Sequence, residues 1–168
     1  MKRYKIQPEV VLSGVKREFN VPEIKVRFNK GKRSFGSISD SKDVYKFLLT
    51  LYGRDISVQE KGIILFLNKR NEIIGYYKHT VGGIDGTILD VRLIIATALK
   101  ALASEIILSH NHPSDNKSPS AADKAITTKI KNAATMNDIK LLDHLIVTKN
   151  NGYFSFADES ELNGLQGL

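Results

Sequence analysis

The chain contains no cysteine, and that absence removes several kinds of chemistry. Disulfide bonds, thiolate nucleophiles and cysteine-ligated zinc sites are all excluded. A zinc nucleobase deaminase is excluded as well, because its site needs a His-x-Glu and a Pro-Cys-x-x-Cys motif, and neither occurs. The lack of cysteine is compatible with a reducing compartment, so we expect a cytoplasmic protein.

Long apolar runs are also missing. The longest runs are short and carry polar residues within a few positions, and the N-terminal residues 1–9 lack the apolar core of a secretory signal. We therefore expect no membrane span and no membrane partner. The 168 residues, 42% apolar and 26% charged, suit one globular domain.

Acidic residues are scarce in the first fifth of the chain. Residues 1–33 hold ten Lys/Arg and three Asp/Glu, whereas the other 135 residues hold fifteen of each, so the net charge of +7 lies entirely in this segment. We interpret residues 1–38 as a basic N-terminal arm and linker with one strand at 23–28. Such an arm could bind DNA or another acidic partner, or it could be a solvated segment that aids solubility.

The remaining pattern predicts helices alternating with strands. Strands are expected at 62–67, 72–78, 105–110, 139–147 and 152–156. Helices are expected from Ser41 to Gly53, at 91–103 behind an Asp90 cap, and at 120–137. The glycine-rich stretch 81–87 suits a tight connection, because it lacks the Lys-Ser/Thr ending of a phosphate-binding loop. This order predicts an α/β domain at 39–162 with a mixed sheet between helix layers, followed by a flexible tail at 163–168.

Two histidines lie at and just after the end of the strand predicted at 105–110. Residues i and i+2 of a strand point to the same face, so His110 and His112 can converge on one point. Lone strand histidines are mostly structural, but two on one face, leading into a polar loop, indicate a metal site.

Asp123 lies eleven positions after His112, near a predicted helix start. It could be a first-turn aspartate in a capping box with Ser120, which is a purely structural role. It also shares a helical face with Ile126 and Ile130, and an inward carboxylate needs a cation or hydrogen-bond donors. Two histidines and one carboxylate leave a fourth position open, as in catalytic zinc sites.

The spacing of these residues resembles the JAMM (MPN+) metalloprotease signature. Longer stretches are similar to the RadC family of JAB-type proteins, namely residues 82–87, 109–114, 119–123, 141–146 and 153–156. The resemblance implies a three-layer α/β/α sandwich of the JAB/MPN (cytidine-deaminase-like) architecture. Longer RadC members carry an N-terminal helix-hairpin-helix DNA-binding module, which the first 40 residues here are too few to encode. Ser114-Asp115 also replaces the usual Ser-Gly, a difference expected to affect loop geometry more than metal chemistry.

The resemblance also implies an activity, which is Zn²⁺-dependent hydrolysis of a peptide or isopeptide bond in a peptide or protein substrate. RadC proteins are historically associated with DNA repair. The alternative is therefore a non-enzymatic, DNA-associated module that combines a metal site with the basic arm. A structural zinc normally has four protein ligands, and only three are evident here, which favours the enzyme.

The JAMM pattern implies a catalytic glutamate just ahead of the first core strand, and Glu60 matches that position. From the residues alone, Glu60 could equally be a charged strand-edge residue, and Glu72 and Glu105 are weaker rivals. Ser120 is the candidate to hydrogen-bond the developing oxyanion, beside its role as a helix cap. His144 is expected to be structural or to support the metal ligands, as is its neighbour Asp143.

Overall fold

The computed structural model of this chain describes residues 9–12, 15–18, 38–81 and 89–164. The first two segments form an antiparallel hairpin of strands β1 (Glu9–Leu12) and β2 (Val15–Glu18). The larger sheet has five strands: β3 (Lys61–Leu67), β4 (Ile73–Val81), β5 (Glu105–Asn111), β6 (Lys140–Val147) and β7 (Tyr153–Ser155). Four α-helices accompany them in the described residues: α1 (Ser41–Tyr52), α2 (Val91–Lys100), α3 (Ala121–Thr135) and α4 (Glu161–Gly164).

The five strands are arranged in the order β4-β3-β5-β6-β7. Only the β5–β6 pair is parallel, and helix α3 connects these two strands, as a parallel crossover requires. Strand β5 is central and buried on both faces, which explains the apolar run at 106–108. The sheet is therefore mixed, as predicted.

Helices cover both faces of this sheet. One core cluster joins Ile106 and Leu108 of β5 to Ile94 of α2 and Ile130 of α3. The other joins Ile107 of β5 to buried residues of α1 on the opposite face. Alternate β5 residues thus enter different cores, and the predicted three-layer α/β/α class is confirmed.

Most predicted elements are present with shifted ends, but one predicted helix cap was wrong and several elements were not predicted. Asp40, rather than Ser41, caps α1, because Asp40 has the extended backbone and its carboxylate accepts from Asp43 N–H. Gly53 ends α1 as predicted, with φ of 67°, but a 3-10 helix (Gly53–Ser57) follows that was not predicted. Strands β1 and β2 and helix α4 were also not predicted. The expected strand at 23–28 and the glycine-rich connection at 82–87 lie outside the described residues.

One edge of the sheet brings the predicted site residues together. Strand β3 runs antiparallel to β5, so its first residues lie beside the last residues of β5, and Gly62 pairs with His110. The loop after β5 then leads to the start of α3 at the same edge. Within the described residues, no helix is long and apolar enough to cross a membrane.

Candidate metal centre

His110 and His112 lie at the end of β5 on the face that packs against α2 and α3. His110 is buried, and the Nε2 atoms of the two rings are 3.0 Å apart. The backbone N–H of His112 donates to the carbonyl of Val147, which keeps β5 aligned with β6 to this point. The predicted convergence of the two histidines is present.

Asp123 completes the group from the first turn of α3. Its Oδ1 lies 3.0 Å from His110 Nε2 and its Oδ2 lies 3.8 Å from His112 Nε2. The three ligand atoms fall within 4.8 Å of one another, so they could hold one metal ion. The three predicted ligands are therefore close enough together for a metal site.

Asp123 also has the structural role weighed from the sequence. Ser120 caps α3, and its backbone N–H and hydroxyl donate to Asp123 Oδ2 at 2.7 and 2.6 Å, forming a capping box. Asp123 therefore has the capping role and also the inward orientation that were weighed from the sequence. The helix cap fixes the carboxylate, and the carboxylate faces the histidines.

The electrostatic surroundings keep Asp123 ionised. Burial by itself would raise the pKa of this carboxyl group, but hydrogen bonds and charge from His110 and Ser120 outweigh it. The pKa of Asp123 is consequently well below its usual range. A negatively charged ligand is thus available at any ordinary pH.

The hydrogen bond of His112 fixes which ring nitrogen faces the centre. Its Nδ1 lies 2.6 Å from the carbonyl oxygen of Asn116. A carbonyl can only accept, so His112 Nδ1 carries the proton. In the neutral ring, the Nε2 lone pair then points at His110 and Asp123, where a metal would bind.

A buried chain of hydrogen bonds fixes the tautomer of His110 in the same way. Thr127 donates its only hydroxyl proton to the backbone carbonyl of Asp123, so it accepts from His144 Nδ1 at 2.6 Å. Neutral His144 then has an unprotonated Nε2, which accepts from His110 Nδ1 at 2.8 Å. In a neutral His110 ring, which a metal ligand must have, Nε2 then has its lone pair towards the centre.

His144 is thus a supporting residue, whereas Asp143 is not. Burial lowers the pKa of His144 well below its usual range, so the ring is neutral, and it stacks on Phe156. Asp143 points the other way, where it accepts from the Ser155 hydroxyl and the Ala157 N–H and ties β6 to β7. Burial raises the pKa of Asp143 to about 6.

Glu60 immediately precedes β3 at the edge of the sheet that holds the histidines. Ile64 and Phe66 of β3 enter the same core as Ile106 and Leu108, and the same alternation continued to Glu60, one residue before the strand, would direct its side chain to the histidine face. Within the described residues, the Glu60 carboxylate has no hydrogen bond or ion pair. Its charge acts on Tyr52, whose pKa is raised by burial and further by Glu60.

The rival residues lie elsewhere. Glu72 accepts from Asn68 and Arg70 at the turn between β3 and β4. Glu105 starts β5, five residues before His110, or roughly 16 Å away along the strand. From the sequence, His79 has no apparent partner and is expected to be exposed, but that expectation is wrong. It is half-buried, because its Nε2 accepts from the Asp90 N–H at the start of α2.

Two residues of the site were missed. Thr127 falls four residues after Asp123, one helical turn further along the inward face, so its spacing could have suggested contact with the ligands. Asn111 lies between the two histidines but faces the opposite core, where its amide holds the segment before β3. No spacing rule links Asn111 to that segment.

Comparison with known proteins agrees with this geometry. A family model described as the RadC-like JAB domain matches residues 38–162, which is most of the chain. The chain belongs to the RadC-like JAB domain family. This family can be JAMM metallohydrolase-like, and the His-His-Asp group is the part of the domain that could bind a metal.

Several curated relatives are similar to this RadC-like domain, and each is called a UPF0758 protein. The relative from Flavobacterium johnsoniae is 45% identical over 73% of this chain and 52% of its own length. The relative from Porphyromonas gingivalis is 42% identical over 75% of this chain and 55% of its own length. The relative from Thermotoga maritima is 36% identical over 74% of this chain and 54% of its own length. The chain thus spans about half the length of these relatives.

Asp115 occupies the position where the RadC pattern has glycine. Asp115 has a φ of 59°, the left-handed region that glycine adopts most easily and aspartate tolerates. Its carboxylate accepts from the backbone N–H groups of Lys149 and Asn150. The aspartate therefore joins the motif loop to the turn between β6 and β7.

Proposed function

We propose that this RadC-like domain is a JAMM-type zinc metallohydrolase that cleaves a peptide or isopeptide bond. The observation that supports it most strongly is the convergence of His110, His112 and Asp123 within 4.8 Å, with both rings hydrogen-bonded through Nδ1. Structural histidines would not require both Nε2 atoms to face one carboxylate.

The donor set fits zinc. Two imidazole nitrogens and one carboxylate oxygen are ligands that zinc accepts, and three protein ligands are typical of catalytic sites that keep a position open. Zinc held there would act as a Lewis acid and lower the pKa of a coordinated water to about 7. A site lacking cysteine also agrees with a hydrolytic rather than a structural role.

Two further residues have proposed roles in bond cleavage. Glu60 takes up the proton that the attacking water loses and delivers it to the nitrogen of the leaving amine as the C–N bond breaks. Its carboxylate has no competing hydrogen bond among the described residues. Ser120 donates to the developing oxyanion. Its hydroxyl must turn from Asp123 Oδ2 to do so, while its backbone N–H continues to hold that oxygen.

A titration combined with a substrate panel tests this function. The full chain, stripped of metal with a chelator, should bind one zinc ion in competition with a chromogenic chelator. It should then hydrolyse fluorogenic peptides joined through a lysine ε-amine or an α-amine, and lose that activity when the chelator is returned. No zinc binding would contradict the metal centre. Zinc binding without cleavage of any amide bond would contradict the hydrolase.

DNA binding through the basic arm is a second proposal, supported by the charge of +7 that residues 1–33 contribute. Each phosphate contact adds about −0.9 to the slope of log affinity against log salt concentration. We expect the affinity of the full chain for duplex DNA to fall steeply as the salt concentration rises. A chain lacking residues 1–33 should lose this steep salt dependence. Filter binding across salt concentrations measures both. A steep slope that survives the truncation would exclude the arm as the binding element.

A further inference from the structure

Asn111 is a fully buried polar residue that the metal centre does not use. It lies between the two histidines, but strand alternation directs it to the opposite face of the sheet, beside Ile107 and Ser109. Its hydrogen bonds all go to another part of the chain.

All three bonds of the Asn111 amide reach the segment between the 3-10 helix and β3. The Nδ2 donates to the carbonyls of Ile56 at 2.6 Å and Gln59 at 2.9 Å. The Oδ1 accepts from the backbone N–H of Lys61 at 2.8 Å. Both amide protons and the oxygen are used, so only one orientation of the amide satisfies these partners.

These contacts bracket Glu60. Gln59 and Lys61 are its immediate neighbours, and both are bonded to the same side chain. The preceding residues Ser57 and Val58 are exposed, with Val58 at 71% exposure, so packing does little to hold this segment. The backbone beside Glu60 is therefore held by Asn111, by the start of β3 and by the Tyr52 hydroxyl, which donates to the Lys61 carbonyl at 3.3 Å.

We propose that Asn111 is a positioning residue that holds Glu60 in place over the metal centre. The three residues His110-Asn111-His112 then combine two tasks on one rigid strand. His110 and His112 present ligand atoms on one face of the strand. Asn111 holds the segment that contains Glu60 from the other face. A shift of β5 would move the ligands and the base together. This inference rests on the proposed function, since it assigns Glu60 a reaction to perform.

The test compares Asn111→Ala with a matched control, Ser109→Ala. Ser109 is equally buried, lies two residues earlier on the same face of β5, and hydrogen-bonds Tyr52 Oη at 2.8 Å. Tyr52 Oη in turn donates to the Lys61 carbonyl, a bond that Ser109→Ala leaves in place. Both variants lose one buried polar side chain, but Asn111→Ala breaks three hydrogen bonds and Ser109→Ala one, so Asn111→Ala should lose more stability. Only Asn111→Ala should release Glu60. If that variant does not fold, Asn111→Thr, which suits a strand and keeps one hydroxyl donor, replaces it.

The first readout needs no substrate. In full-length protein labelled with ¹³C, zinc ions are added and the Glu60 Cδ resonance is followed by NMR. It should shift in the wild type and in Ser109→Ala, and lose more than half of that shift in Asn111→Ala. Exchange of the Lys61 amide hydrogen should also quicken in Asn111→Ala alone. Zinc affinity should stay within about threefold in all three proteins, because Asn111 faces away from the ligands.

The second readout is hydrolysis of the amide substrate from the panel. A displacement of about 1 Å can lower a rate about 10²-fold, so Asn111→Ala should lower kcat by about that factor with KM unchanged. Combined with Glu60→Gln, it should lower kcat no further, since both changes act on one proton transfer. A full zinc-induced shift of Glu60 in Asn111→Ala, or additive losses in the double variant, would overturn the inference. Absence of the shift in the wild type would instead contradict the proposed function.

Discussion

Glu60→Gln is expected to bind zinc as tightly as the wild type and to hydrolyse the amide substrate about 10²–10⁴ times more slowly. Glutamine has the size of glutamate but cannot accept the proton that water must lose. Because Glu60 has no hydrogen-bond partner among the described residues, the change should cost little stability. The measurement is kcat beside zinc stoichiometry and thermal unfolding of the same preparation.

Glu105→Gln is the matched control for that result. It makes the same chemical change at the first residue of β5, which is the end of that strand far from the histidines. It should leave kcat within about twofold of the wild type. Full activity in Glu60→Gln would remove Glu60 from the mechanism. Equal losses in both variants would indicate a general effect of the charge rather than proton transfer.

The sequence predicts the fold well where periodicity is strong. The strands around Ile64 and Leu108 and the helix behind Asp90 are close to their expected positions, because apolar spacing directly reflects which face is buried. The predictions fail where one polar side chain decides the outcome. Asp40 rather than Ser41 caps α1, and the Ser41 hydroxyl instead hydrogen-bonds Asp158 and Tyr153 from distant parts of the chain.

The residues of the candidate site also fall into those that the sequence predicts and those that it does not. The two histidines and Asp123 could be found because strand and helix periods place them on inward faces. Thr127 and Asn111 could not be assigned, because their roles depend on hydrogen bonds between segments that only the folded chain brings together. The chain of bonds from His110 through His144 is also a tertiary feature. The roles of Glu60 and Ser120 remain predictions, although their positions agree with them.

Loss of a metal ligand is the second large effect we expect. His112→Ala and Asp123→Asn should reduce bound zinc from one ion per chain to almost none at micromolar concentration. Asparagine keeps an oxygen that can accept from Ser120 N–H, so it preserves the helix cap while removing the charged ligand. Zinc at 100 times its Kd should stabilise the wild type by about 2.7 kcal/mol, and neither variant should show that increment. Metal analysis and thermal unfolding with and without zinc measure both effects.

The surrounding hydrogen bonds allow a graded version of this experiment. Thr127→Val removes the hydroxyl that accepts from His144 Nδ1, so His144 loses the partner that fixes its tautomer and no longer holds His110 in one orientation. Such changes typically weaken metal binding by about 10–100-fold, which is less than loss of a ligand. His79→Gln is the control, since this histidine lies outside the metal group. Equal zinc affinity in Asp123→Asn, Thr127→Val and His79→Gln would contradict the centre. The geometry requires the loss of zinc affinity to be largest in Asp123→Asn, smaller in Thr127→Val and absent in His79→Gln.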